Sequence, residues 1–148
     1  MKNLIFIILF FLLSQCGYSK VYNDNTENFS VNVLSMNGDS EINNLIKKHL
    51  RKYKNSSEII FKISYSTDYN KSIITKDDKG VASDYKLNAN TEFLVVYDNE
   101  ERKFYFTEKI NIKNISNSFE LKKYEKIIKN NFAKSIKEKL ILKLTTIK

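Results

Sequence analysis

Apolar residues in this chain switch between two periods, every second position and every third or fourth. Phe29-Ser30-Val31-Asn32-Val33 alternates apolar and polar and predicts a short strand. Asn37-Gly38-Asp39-Ser40 reads as a turn that ends in a helix-capping residue, Asp39 or Ser40. Ile42, Leu45, Ile46, Leu50 and Tyr53 then recur at helical spacing, with Lys47, Lys48, Arg51 and Lys52 on other faces. That amphipathic helix should end near Asn55-Ser56-Ser57. Phe61, Ile63, Tyr65 and Tyr69 share one face of a second strand, opposite Lys62, Ser64, Ser66 and Asp68. Asp77-Asp78-Lys79-Gly80 supplies a turn, with Gly80 suited to positive φ. Tyr85, Leu87, Ala89, Phe93, Val95 and Tyr97 alternate with polar residues along a third strand. After a reversal at Asp98-Asn99-Glu100-Glu101, Phe104, Phe106, Ile110 and Ile112 mark a fourth. A long final helix carries Leu121, Tyr124, Ile128, Phe132, Ile136 and Leu140 on its apolar face. Lys122, Lys123, Lys126, Lys129, Lys134 and Lys137 are expected on its solvated faces.

The order strand, helix, three strands, helix implies an α+β two-layer sandwich, a mixed four-stranded sheet with one face covered by two helices. A strand joined to the next through a helix favours a parallel pair, and three strands joined by short polar turns favour an antiparallel meander. The polar face of the sheet is left to water or to a partner with a wet interior. No internal repeat or low-complexity run divides residues 29–148, which read as a single domain.

Ahead of that domain stands a different composition. Met1-Lys2-Asn3 precedes an unbroken apolar run from Leu4 to Leu13, followed by Ser14-Gln15-Cys16-Gly17. A basic start, an apolar core and a small-residue exit have the layout of a secretory signal peptide, and the run is well short of the ~20 residues that span a bilayer. Leu13-Ser14-Gln15-Cys16 resembles the bacterial lipobox, with Gln15 where Gly, Ala or Ser is usual. Residues 1–15 are therefore expected to be removed and Cys16 to carry a covalent lipid, with residues 16–28 as a polar tether. An ordinary signal peptide with an incidental cysteine is the alternative. Lipidation would consume the chain's one thiol, leaving no disulfide, so that the fold rests on its apolar core. Gly17, rather than Asp, follows the cysteine, which points to the outer membrane, periplasmic side.

The formal charge is +8, and Lys2 is the only charged residue lost with the signal. Nucleic acid, the usual partner of a basic domain, is not met by an exported chain. An anionic lipid surface or phosphorylated glycolipid is what the compartment permits, and plain solvated lysines are the alternative. Richness in Lys, Asn, Ile and Tyr also fits simple compositional bias.

Catalytic chemistry is hard to find. The lone His49 borders the apolar face of the first helix without a nucleophile or second ligand near it in the pattern. Asp77-Asp78 sits on a turn where solvated charge is the default. No zinc spacing, P-loop or G-x-S-x-G occurs, so no enzyme activity, metal or soluble cofactor is expected.

The lipidated N-terminus, the element order and the run Gly80-Val81-Ala82-Ser83-Asp84-Tyr85-Lys86-Leu87 before a long strand resemble the LPS-assembly lipoprotein family LptE. The resemblance covers the mature chain and implies a subunit seated inside the outer-membrane barrel LptD, aiding its assembly and contacting lipopolysaccharide. The family's basic lipid-contacting positions fall on Asp78 and Glu120 here, so direct carry-over fails. The neighbouring Lys76 and Lys79 at the turn, and Lys122 and Lys123 at the helix start, are the candidate lipopolysaccharide contacts. A free-standing periplasmic lipoprotein that binds a lipid or serves a transporter is the other reading of the same residues.

Overall fold

A computed structural model describes residues 29–54 and 57–147. Cys16, the signal segment 1–15, the tether 16–28 and the predicted loop residues Asn55 and Ser56 lie outside the described residues. The elements run β1 (Phe29–Gly38), α1 (Ser40–Leu50), a 3-10 turn (Arg51–Tyr53), β2 (Ile59–Lys76), β3 (Ala82–Tyr97), β4 (Glu100–Lys113) and α2 (Ser118–Ile147). This is the expected mixed α+β sandwich, and the strand order is β1-β2-β3-β4.

β1 pairs in parallel with β2, from Phe29 opposite Ile59 to Gly38 opposite Thr67, because α1 carries the chain back to the same end. β2, β3 and β4 form the antiparallel meander. Tyr97 pairs with Glu100 across a two-residue turn in which Asp98 and Asn99 take φ of +50° and +62°, as a primed hairpin turn requires. At the end of β1, Gly38 has φ +87°, and a Cβ there would stand 2.0 Å from the Thr67 carbonyl oxygen. The chain needs glycine to leave the sheet at this point. Asp39 N–H then donates to that same oxygen at 2.8 Å.

The core lies between one face of the sheet and both helices. Phe29, Phe61, Ile63, Leu87, Ala89 and Phe93 from the strands meet Ile42 and Ile46 of α1 and Ile136, Leu140 and Leu144 of α2, all fully enclosed. Phe29 stacks on Tyr53 and meets Phe61 edge-on, with centroids 5.9 and 5.3 Å apart, which fixes the α1 end against β1.

Several expectations need correction. Tyr124 was expected on the core face of the last helix but is 41% exposed, because α2 reaches full burial only from Ile128 onward. Lys129 and Lys137, expected to be solvated, are buried. Ile110, placed on the apolar face of the fourth strand, is exposed, whereas Tyr69, Tyr85, Tyr97, Phe104 and Phe106 pack half-buried against the core on the expected face. The first strand is longer than its alternating stretch, reaching Gly38 through a bulge at Leu34. The first helix ends at Leu50 and tightens into the 3-10 turn instead of continuing to the loop. Finally, Thr67 and Thr91 occupy core-face positions in the middle of the sheet, where their hydroxyls satisfy each other at 2.9 Å.

Candidate functional site

The predicted lysines map to one end of the sandwich. Lys76 ends β2 and Lys79 sits in the turn that follows; Lys122 and Lys123 lie in the first turns of α2. The topology brings these segments to one end. Asp84 near the start of β3 pairs with Lys113 at the end of β4, and α2 begins shortly afterwards. Asn114 locks the junction, its N–H donating to Ser83 O at 2.7 Å and its side-chain amide to Ala82 O at 2.8 Å. Asn117 then caps α2, its side-chain oxygen accepting from Phe119 N–H at 2.9 Å. All four lysines are exposed.

The acidic pair at the turn divides its work. The Asp77 carboxylate accepts from Lys79 N–H at 3.0 Å and Val81 N–H at 2.8 Å, while Gly80 takes φ +79°. Asp77 therefore shapes the loop that presents Lys76 and Lys79, and Asp78 points no hydrogen bond into it. Beside the turn, Thr75 and Ser83 hydroxyls engage the Asp84 carboxylate and hold its pKa below the ordinary carboxylate value. Large apolar side chains are exposed in the same segments: Ile73, Ile74 and Val81 at the hairpin, Phe119 and Tyr124 on α2. Cations interleaved with exposed apolar groups form a surface that an anionic amphiphile can meet with both its head and its chains.

A charged network, not foreseen from the pattern, ties this end to the core. Glu125 of α2 accepts from Tyr69 OH at 2.6 Å and from Lys71 Nζ at 3.0 Å. Burial pushes the Glu125 carboxyl up, but the Tyr69 and Lys71 hydrogen bonds and the nearby lysine charges outweigh it, so its pKa lies below the ordinary value. One turn on, Lys129 Nζ stands 3.0 Å from both Asp39 and Glu41 and 4.2 Å above the centre of the Tyr69 ring. Burial lowers the Lys129 pKa and the two carboxylates more than restore it, a net upward shift. Tyr69, half-buried among these carboxylates, is pushed well above the ordinary phenol range, first by burial and then by Glu125. Lys71 Nζ also lies 4.6 Å over the Tyr85 ring. The network fastens the first turns of α2 to β2 and to the start of α1.

His49 is half-buried, with Nε2 3.3 Å from Asn130 Oδ1 of α2, a contact between helices. Among the described residues no group of three or more His, Cys, Asp or Glu side chains is placed to hold a metal ion, and no helix is long and apolar enough to cross a membrane.

No protein-family model matches this chain, and no curated protein matches it in sequence. Solved structures do. Rare lipoprotein B from Shewanella oneidensis is similar over 78% of this chain and 98% of its own, with TM-score 0.56 and 17% identity. A candidate lipoprotein from Caulobacter crescentus gives TM-score 0.58 at 11% identity, over 78% of this chain and 88% of its own. This chain shares their fold. A minor lipoprotein from Acinetobacter baumannii, at TM-score 0.50 and 9% identity over 73% of this chain and 91% of its own, is a third example. The fold of rare lipoprotein B is thus the one adopted by the described residues.

Proposed function

We propose that this chain is an outer-membrane lipoprotein subunit of the lipopolysaccharide translocon, acting as plug and assembly partner of the LptD barrel. On this reading Cys16 carries the lipid and the domain hangs on the periplasmic side. The observation that carries the proposal is the overlay on nearly the whole of rare lipoprotein B, joined to a lipobox-like N-terminus. Lys76, Lys79, Lys122 and Lys123, with the apolar side chains exposed beside them, supply a contact for the phosphorylated head and acyl chains of lipopolysaccharide. Each ammonium is a flexible point charge, so that contact should be sensitive to salt and tolerant of headgroup shape.

Affinity purification from detergent-solubilised outer membrane tests the proposal. A stable complex with a large β-barrel is the expected result. Extraction of the chain alone, with lipid bound, would replace the plug reading with that of a free-standing lipid-binding lipoprotein.

A further inference from the structure

β1 is an edge strand, and among the described residues nothing pairs with its outer side. Every second N–H and C=O of such a strand points away from the sheet as a template for another strand. Directly above that edge lies a cleft of about 330 Å³ lined by Val31, Asn32 and Val33 of β1, Leu50 of α1, and Lys47, Arg51 and Lys54. Its floor is apolar, since Val31 and Leu50 are buried. Its rim is cationic, and none of the ion pairs among the described residues engages Lys47, Arg51 or Lys54.

We infer that this edge accepts an extended acidic segment of a partner protein as a fifth strand. A strand added beside β1 would lie about 4.8 Å away in the sheet plane, with alternate side chains turned toward the helix layer. Lys47 and Arg51 are one turn apart, about 6 Å along the helix axis. Alternate residues of a strand are about 6.7 Å apart, so acidic side chains at every second position can meet the two cations in turn. The intervening residues face the open side of the sheet and are free to vary. The register break between Val33 and Ser35, where Leu34 bulges out, ends the regular edge and limits the added strand to the Phe29–Val33 stretch. A bare phosphate would use the cations but not the backbone edge, which is why a peptide is the occupant favoured.

Fluorescence anisotropy on the full-length chain in detergent micelles tests this, with a labelled octapeptide of alternating Glu and Val as probe. Saturable binding is expected, weakened about tenfold or more by Lys47→Gln with Arg51→Gln, two exposed positions at which the melting temperature should not move. Replacing Glu by Lys in the probe should abolish binding. N-methylation of alternate peptide nitrogens, which blocks one hydrogen-bonding edge and keeps the charge, should weaken it to a similar extent. Equal binding of the N-methylated probe, or its displacement by inorganic phosphate at matched ionic strength, would overturn strand addition in favour of a simple anion site. Absence of binding by the unmodified probe would overturn it outright.

Discussion

Asp39 caps α1 with one carboxylate oxygen and holds Lys129 of α2 with the other. Oδ1 accepts from Ile42 N–H at 2.8 Å and Oδ2 lies 3.0 Å from Lys129 Nζ. One side chain thus starts the first helix and positions the second. Asp39→Asn keeps the capping geometry and loses the ion pair, whereas Asp39→Ala loses both. The alanine variant should therefore be the less stable of the two by about 1 kcal/mol in urea unfolding, the usual worth of an N-cap. Equal stabilities would show that the cap contributes nothing here.

Lys129 and Lys137 are both buried on α2, yet the same substitution should move stability in opposite directions. Lys129→Met leaves Asp39 and Glu41 facing each other without their shared cation and should cost about 2 kcal/mol. Lys137 has only Glu138 at 3.6 Å, and burial pushes its pKa down. Lys137→Met should gain about 1 kcal/mol by exchanging a poorly compensated charge for apolar volume. Melting temperatures of the two variants, measured side by side, check the sign.

The pH dependence follows from Glu125. Its folded pKa lies below the ordinary carboxylate value, so its contribution is fully present above the unfolded value, near 4.3. That contribution fades as pH falls through the folded pKa. Wild type should lose stability below about pH 5 more steeply than Glu125→Gln, with the two curves converging in strong acid. Parallel curves would mean that the Tyr69 and Lys71 contacts do not favour the ionised form.

Two glycines with similar φ should respond differently to alanine. Gly38→Ala sets a Cβ against the Thr67 carbonyl and breaks the exit from β1, so the variant should lose several kcal/mol or fail to fold. Gly80→Ala meets open space and should cost only the ~1–2 kcal/mol of a left-handed backbone.

For the lipid contact, replacing Lys76, Lys79, Lys122 and Lys123 together with Gln should weaken binding to lipopolysaccharide in vitro and flatten its salt dependence. Barrel association and melting temperature should stay as in wild type. Undiminished binding would remove these residues from the site while leaving the barrel reading standing.

The sheet was legible because period-two alternation and the turn residues at Asp77–Gly80 and Asp98–Asn99 agree about where each strand starts and stops. The cap of α1 was equally local, since Asp39 sits where its side chain reaches the N–H of Ile42, whereas the Asn117 cap of α2 was not singled out. The buried charges escaped because a lysine beside an apolar stripe looks the same whether it is solvated or paired. Lys129 and Lys137 stand in a row with Ala133 and Ile141, spaced by four. That second row, wider than the Ile128-Phe132-Ile136-Leu140 stripe, was the available signal. Thr67 and Thr91 were missed for a related reason, since a polar residue at a core position is tolerable only through a partner on the next strand. The grouping of the four lysines at one end followed from topology, whereas the cationic cleft at β1 depends on how α1 lies over an edge strand, which spacing alone does not fix.

The parallel pairing of β1 with β2 also imposes an order on assembly. β2 and β3 meet through a short turn, so their pairing can start locally at Lys76 and Ala82 and extend outward one pair at a time; Phe29 must await Ile59, beyond an entire helix. In a chain delivered N-terminus first, the first strand to emerge is thus the last able to find its neighbour. The hairpin is self-sufficient in topology, and β1 is dependent on it. A chain cut short ahead of β2 would release a strand and a helix with no surface to close upon.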